Sequence, residues 1–193
     1  MMYRFITSQR GAMFGLDARV AMAIFGIASV LVGTAVFGSM REFEYRALSK
    51  ELKEMHVAIE GLHNDLQASV RSRLTTPSDA NSFTALYDSS VLTAAGQQKW
   101  LGPYINLRSN THPSYGTMSL TRAAVSNAPG TACTATDGTC YLYVVYSAVP
   151  DGIIADLDDA LDNGDGATAG KVQWSVVAGQ TDTLYFRTMK NIR

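Results

Sequence analysis

The chain has 193 residues, a net charge of −1 and 17% charged residues. Near-neutrality argues against a nucleic-acid binder, which needs a concentration of Lys and Arg on one face. The length accommodates one membrane segment and one modest domain with a single hydrophobic core, and no internal repeat is visible.

Residues 1–12, MMYRFITSQRGA, carry Arg4 and Arg10 and no acid. A secretory signal has its apolar stretch before the cleavage site. Here the order is reversed: a basic leader, the small pair Gly11-Ala12, then the apolar run. Cleavage at this point leaves the membrane helix on the mature protein.

Residues 13–40 form that run. From Val20 to Met40 there is no charged residue, enough for a helix to cross a bilayer core of about 30 Å. Asp17 and Arg19 sit at its N-terminal edge. A carboxylate in a membrane segment costs about 2.5–3.5 kcal/mol near the centre, so such residues take partners. Arg19 is the local competitor, and it can instead snorkel to the headgroups. Gly26, Gly33 and Gly38, with Ser29, Thr34 and Ser39, supply small packing positions.

Residues 41–75 continue the helix. Leu48, Leu52, Met55, Ile59, Leu62, Leu66, Val70 and Leu74 recur every three or four positions, an apolar stripe with Glu51, Lys53 and Glu54 off it. The spacing predicts one helix from Phe14 to Leu74, about 90 Å long, stopped at Thr75-Thr76-Pro77-Ser78. His56 and His63 lie beside the stripe as part of a solvated face. Arg41, Arg46, Lys50 and Lys53 follow the apolar span as closely as Arg4, Arg10 and Arg19 precede it, so charge counting does not orient it.

Residues 76–193 read as a globular sheet domain. Residues 77–115 form an irregular connection, with short helices around Phe83–Tyr87 and Val91–Gln98. It is anchored by WLGPYI, Trp100 to Ile105, where Gly102-Pro103 makes a turn between large apolar groups. Strands are expected at Thr117–Ala123, Tyr141–Ala148, Lys171–Val177 and Thr183–Thr188, which are rich in aromatic and β-branched residues. Ala178-Gly179-Gln180-Thr181-Asp182 fits a hairpin loop between the last two. Cys133 and Cys140 bracket an Asp137-Gly138 turn just before a strand. Two cysteines cannot complete a structural zinc site, and so close a pair suits a disulfide outside the cytoplasm.

The stretch VPDGIIADLDDALDNGDGATAGKVQW holds six aspartates. They invite a calcium reading with Asp159, Asp162 and Asp165 as candidate ligands, but the EF-hand spacing fails. The plainer reading is a short helix, Ile153–Leu161, then a Gly/Asn/Asp turn into the next strand. No other cofactor is expected. No catalytic constellation is found: His112 stands beside Pro113, and neither a nucleophile motif nor a phosphate-cradling loop is present.

The leader, Asp17 and the long helix resemble type IV prepilins and type II secretion pseudopilins, in which a peptidase removes a class III signal and an acid lies at the fifth mature position. Cleavage after Ala12 places Met13 first and Asp17 fifth; cleavage after Gly11 would place the acid sixth. The family usually has Gly before the cut and Glu at the fifth position, where this chain has Ala12 and Asp17. WLGPYI resembles the W-x-GPY segment after the long helix in many pseudopilins. The Asp/Gly stretch resembles an L-D-x-x-x-D-D-G-x-x-x-x-G element of several pilin-like proteins, with Asn163 for the second acid.

The resemblance implies an α+β fold, a long N-terminal helix packed on an antiparallel sheet. It implies a structural filament subunit, methylated at Met13, whose Asp17 pairs with a neighbour's N-terminal amine. Its partners would be copies of itself, other pilin-like subunits, the prepilin peptidase, the inner-membrane assembly platform and the membrane. The leader and the cysteines put the N-terminus in the cytoplasm and the sheet domain in the periplasm or an extracellular filament. The alternative is a membrane-tethered periplasmic binding or adhesion module that never polymerises, which would keep its N-terminus from Met1.

Overall fold

The computed structural model describes residues 11–124, 130, 133, 140–176 and 181–190, and the side chains of all of these except 11–14, 16 and 37. Two compact units, Met1–Phe43 and Glu44–Arg193, divide the chain. Helical backbone covers Gly11–Leu66, helix α1, whose residues fall in both units.

In the first unit the helix is long and apolar enough to span a membrane. Among the described residues its large apolar side chains are open to the surroundings, with Phe25 74% and Ile27 65% exposed. Each hydroxyl of the span closes back on the helix: Ser29 Oγ donates to the Phe25 carbonyl at 2.8 Å, Thr34 Oγ1 to that of Leu31 at 3.0 Å and Ser39 Oγ to that of Ala35 at 3.0 Å. Such bonds satisfy the hydroxyls where water is absent.

In the second unit the C-terminal part of α1 supplies one wall of the core. All eight stripe residues from Leu48 to Leu74 are buried, each worth about 1.5–3 kcal/mol of burial. The helix itself stops earlier than its periodicity suggests. Gln67 takes a left-handed conformation (φ 48°) and its N–H reaches the His63 carbonyl at 3.1 Å. A 3₁₀ turn, Val70–Arg73, then carries Val70 and Leu74 back into the core.

The connection folds into α2 (Asp79–Thr84), a 3₁₀ turn at Ser89–Val91 and α3 (Ala94–Gln97). Ser78, Asp88 and Thr93 begin these turns, each accepting a backbone N–H of its own element. Trp100 Nε1 donates to the Ala85 carbonyl at 2.8 Å, and the Tyr104 N–H to that of Leu86 at 2.8 Å. The Gly102–Pro103 peptide between them is cis. A Cβ at Gly102 would fall 2.7 Å from the Trp100 ring and 2.8 Å from that of Tyr104, so no larger residue fits between these two rings.

Among the described residues five antiparallel strands follow: β1 (Thr111–His112), β2 (Gly116–Ala124), β3 (Cys140–Pro150), β4 (Val172–Ser175) and β5 (Thr181–Lys190). Their order is β1-β2-β3-β5-β4, so the chain leaves β3, crosses through helix α4 (Asp151–Asp162) to the far edge, and returns. β1 was not expected from the sequence; two residues carry no alternation to read. Met118, Leu120, Leu142, Val144, Tyr146, Val172, Leu184 and Phe186 share one core with the α1 stripe. Tyr143, Val145 and Ala123 form a second cluster with Tyr141 and Tyr185, on the residues that alternate with the first set. With both faces buried, β3 reads as a continuous apolar run rather than an alternating one. The α+β architecture is as expected. Thr181 and Asp182, placed in a loop by the sequence, belong to β5; residues 177–180 and the Asp137-Gly138 turn lie outside the described residues.

Candidate functional sites

The residues that the sequence reading expects to serve processing and assembly belong to the first unit. Of the expected leader, residues 1–12, positions 1–10 lie outside the described residues; Gly11, Ala12 and the following Met13 have helical backbone. Asp17 is exposed on α1.

In the second unit Cys133 and Cys140 are joined in a disulfide with Cα atoms 6.0 Å apart. Cys140 is buried at the start of β3, so the bridge ties Cys133 to the sheet.

A cluster of acidic side chains gathers at the α4–β4 turn. α4 begins after Pro150 with Asp151 in its first turn, where a carboxylate complements the helix dipole. Ile153, Ile154 and Leu157 face the core. Asn163 ends the helix in the left-handed region (φ 61°, ψ 28°), and the Gly164 N–H returns to the Asp158 carbonyl at 3.3 Å. Gly170 (φ 66°) closes the turn: a Cβ there would collide with the carboxylates of both Asp162 and Asp165.

Three carboxylates converge on this turn. One oxygen from each of Asp158, Asp162 and Asp165 lies within 4.8 Å of the others. Asp162 Oδ2 accepts the N–H of Val172 at 2.6 Å and also that of Lys171, fixing the start of β4. Asp158 is only 3% exposed; its Oδ2 accepts the Gly166 N–H at 3.0 Å, and its Oδ1 has no hydrogen-bond partner. Burial pushes the Asp158 carboxyl up, the Gly166 N–H draws it down, and Asp165, Asp162 and Asp159 push it up further. Of the three sequence candidates, Asp162 and Asp165 meet here, whereas the third member is Asp158 rather than Asp159. The signal that distinguishes them is the helix period: Asp158 lies one position from Leu157 on the buried side and four before Asp162.

A second polar cluster joins α1 to the first hairpin. Glu51 accepts the Tyr146 hydroxyl at 2.7 Å, and His112 Nε2 lies 3.4 Å from its other oxygen. His112 Nδ1 accepts the N–H groups of Ser114 and Tyr115, each at 3.0 Å, and the imidazole stacks on the Tyr115 ring at 4.6 Å. With Nδ1 accepting, Nε2 carries the proton and faces Glu51. His112 thus has a structural role that its position next to Pro113 did not disclose.

No family model, curated protein or solved structure matches the chain.

Proposed function

We propose that the protein is a structural subunit, pilin or pseudopilin, of a type IV pilus or a type II secretion-type filament. One combination carries the reading: an apolar, exposed helical stretch whose only acid before Met40 is Asp17, in the same chain as a separate compact sheet unit. The basic leader and small pair at the start of the sequence supply a cleavage point that frees the Met13 amine. An apolar helix satisfied in all its hydroxyls suits the bilayer first and an apolar fibre interior afterwards. The disulfide fits the oxidising side of the membrane.

Intact-mass measurement of protein isolated from its own membranes tests this directly, together with electron microscopy of immunolabelled, sheared surface material. The expected result is a mature chain starting at Met13, carrying one methyl group and present in filaments. Retention of residues 1–12 and absence from sheared fibres would overturn it.

One observation favours the non-polymerising alternative. An open groove of about 820 Å³ runs beside α1, lined by Met55, Val57 and Ala58 and by Tyr104, Ile105 and Leu107. Mature, filament-bound protein would set that alternative aside.

A further inference from the structure

We infer that the groove beside α1 binds a single-chain anionic amphiphile, a long-chain carboxylate, with its tail in the groove and its head on Lys53. The inference concerns the second unit and holds whether or not the chain polymerises.

The tail site is built from small residues on the helix. Ala58 and Gly61 lie one turn apart and leave this flank of α1 open. Tyr104 closes over the gap: a Cβ on Gly61 would lie 3.2 Å from its ring. Met55 and Val57 on the helix, with Ile105 and Leu107 opposite, complete apolar walls around about 820 Å³. Val57 is 66% exposed, so the groove holds apolar surface that the fold leaves unburied. Apolar clefts of about 300–1,000 Å³ with a few placed polar groups are typical of small-molecule sites. The α1 wall runs from Lys50 to Gly61, about 16 Å at 1.5 Å per residue, which suits an extended chain better than a compact ligand.

Charge decides which end takes the head. Lys50 and Lys53 stand at one end of the groove, and Arg46, Lys50 and Lys53 follow one ridge of the helix at i, i+4 and i+7. Both acids at that end are engaged. Glu51 accepts the Tyr146 hydroxyl and faces His112, and Glu54 pairs with Lys50 at 3.6 Å. Among the described residues the Lys53 side chain makes no ion pair or hydrogen bond. Beyond the other end lies Asp65, which accepts the Tyr104 hydroxyl and repels a carboxylate. An apolar chain with one negative head answers both ends; a neutral ligand leaves Lys53 without a counter-ion.

Photo-crosslinking tests the site in the full chain, held in phosphatidylcholine nanodiscs. The probe is dodecanoate with a diazirine near its methyl end, and adducts are mapped by mass spectrometry. We expect adducts on Met55–Gly61 and Tyr104–Leu107, saturating at or below about 1 mM, the affinity a ligand of this size typically reaches. Unlabelled dodecanoate should compete. Lys53→Glu, an exposed change, should cut groove labelling about fivefold, the upper range for one exposed ion pair. The alcohol of the same chain length should label the wild type as weakly. Adducts confined to residues 13–40 would show bilayer partition alone and overturn the inference. So would groove labelling that Lys53→Glu leaves unchanged or that the alcohol matches, because no head site then exists. A second copy of the chain in the groove would give no groove adducts, with carbodiimide cross-links from Lys50 or Lys53 to an acid of the other copy, and would also overturn it.

Discussion

Tyr146, in the middle of β3, donates its hydroxyl to Glu51 of α1 across 95 positions of sequence at 2.7 Å. The ring is fully buried, whereas the Glu51 side chain is 27% exposed and is shared with His112. The bond therefore pins the helix to the centre of the sheet while the carboxylate keeps some water.

Removing the hydroxyl should show this. Tyr146→Phe leaves the packing in place but deletes a charge-assisted bond, typically about 1.5–3 kcal/mol. The partial exposure of Glu51 places the expected loss near the lower end. Denaturant unfolding of the full chain in detergent, followed by Trp fluorescence, measures it. A loss below about 0.5 kcal/mol, within the range of ordinary surface changes, would mean that the bond does not hold the helix to the sheet.

Alkaline pH should weaken the second unit through its tyrosines. Burial, and then the hydrogen bond to Asp65, push the Tyr104 hydroxyl up to about 12. Burial also pushes up Tyr115, Tyr143 and Tyr146, with Glu51 adding to the rise at Tyr146. A raised folded value for these groups means that the folded state holds its protons longer. Their stabilisation is complete below the unfolded value of about 10 and falls as pH rises beyond it. For Tyr104 the loss runs from about 10 to about 12. Absorbance at the tyrosinate band should show a late-titrating group of tyrosines, and Tyr104→Phe should remove part of that late phase. A single phase near the ordinary tyrosine value would contradict the burial of these hydroxyls.

The Cys133–Cys140 bridge, with a sequence separation of 7, closes a short loop. Chain entropy assigns such a loop about 2.5 kcal/mol. The double change Cys133→Ser and Cys140→Ser should lower stability by about that amount, with strand β3 still formed. Alkylation before and after reduction reads the pairing independently. Two reactive thiols in unreduced protein would refute it.

Asp17 separates a filament subunit from an anchor. In an anchor, Asp17→Ala removes a costly carboxylate from the membrane segment and should be tolerated or improve insertion. In a filament subunit the Ala variant should insert but assemble poorly, because a neighbour's Met13 amine is left as an unpaired charge in an apolar core. Asp17→Glu should largely retain assembly, since the charge survives with one more methylene. Membrane fractionation with a shear assay reads both steps. Wild-type levels of the Ala variant in sheared fibres would remove the proposed role of Asp17.

The sequence by itself determined the local, periodic features. Leu48, Leu52, Met55, Ile59, Leu62 and Leu66 fall on one helix face because 3.6 residues make a turn, and all are buried. The apolar span, the four long strands and the close cysteine pair were legible for the same reason: each is written in neighbouring residues. Tertiary structure decided what depends on distant ones. The helix ends at Leu66 rather than Leu74: Gln67-Ala68-Ser69 carries no stop signal in the sequence, and the turn at Gln67 is set by the core, which draws Val70 and Leu74 in from another direction. The two-residue strand β1 exists only because β2 pairs with it. His112 acquires Glu51 and Tyr146 as neighbours through the packing of a hairpin on α1. Asp158 rather than Asp159 joins Asp162 and Asp165 because the core claims Leu157 and sets the rotation of α4, turning Asp158 inward. Spacing along a chain fixes which residues share a face; only long-range packing determines which face is buried and what it meets.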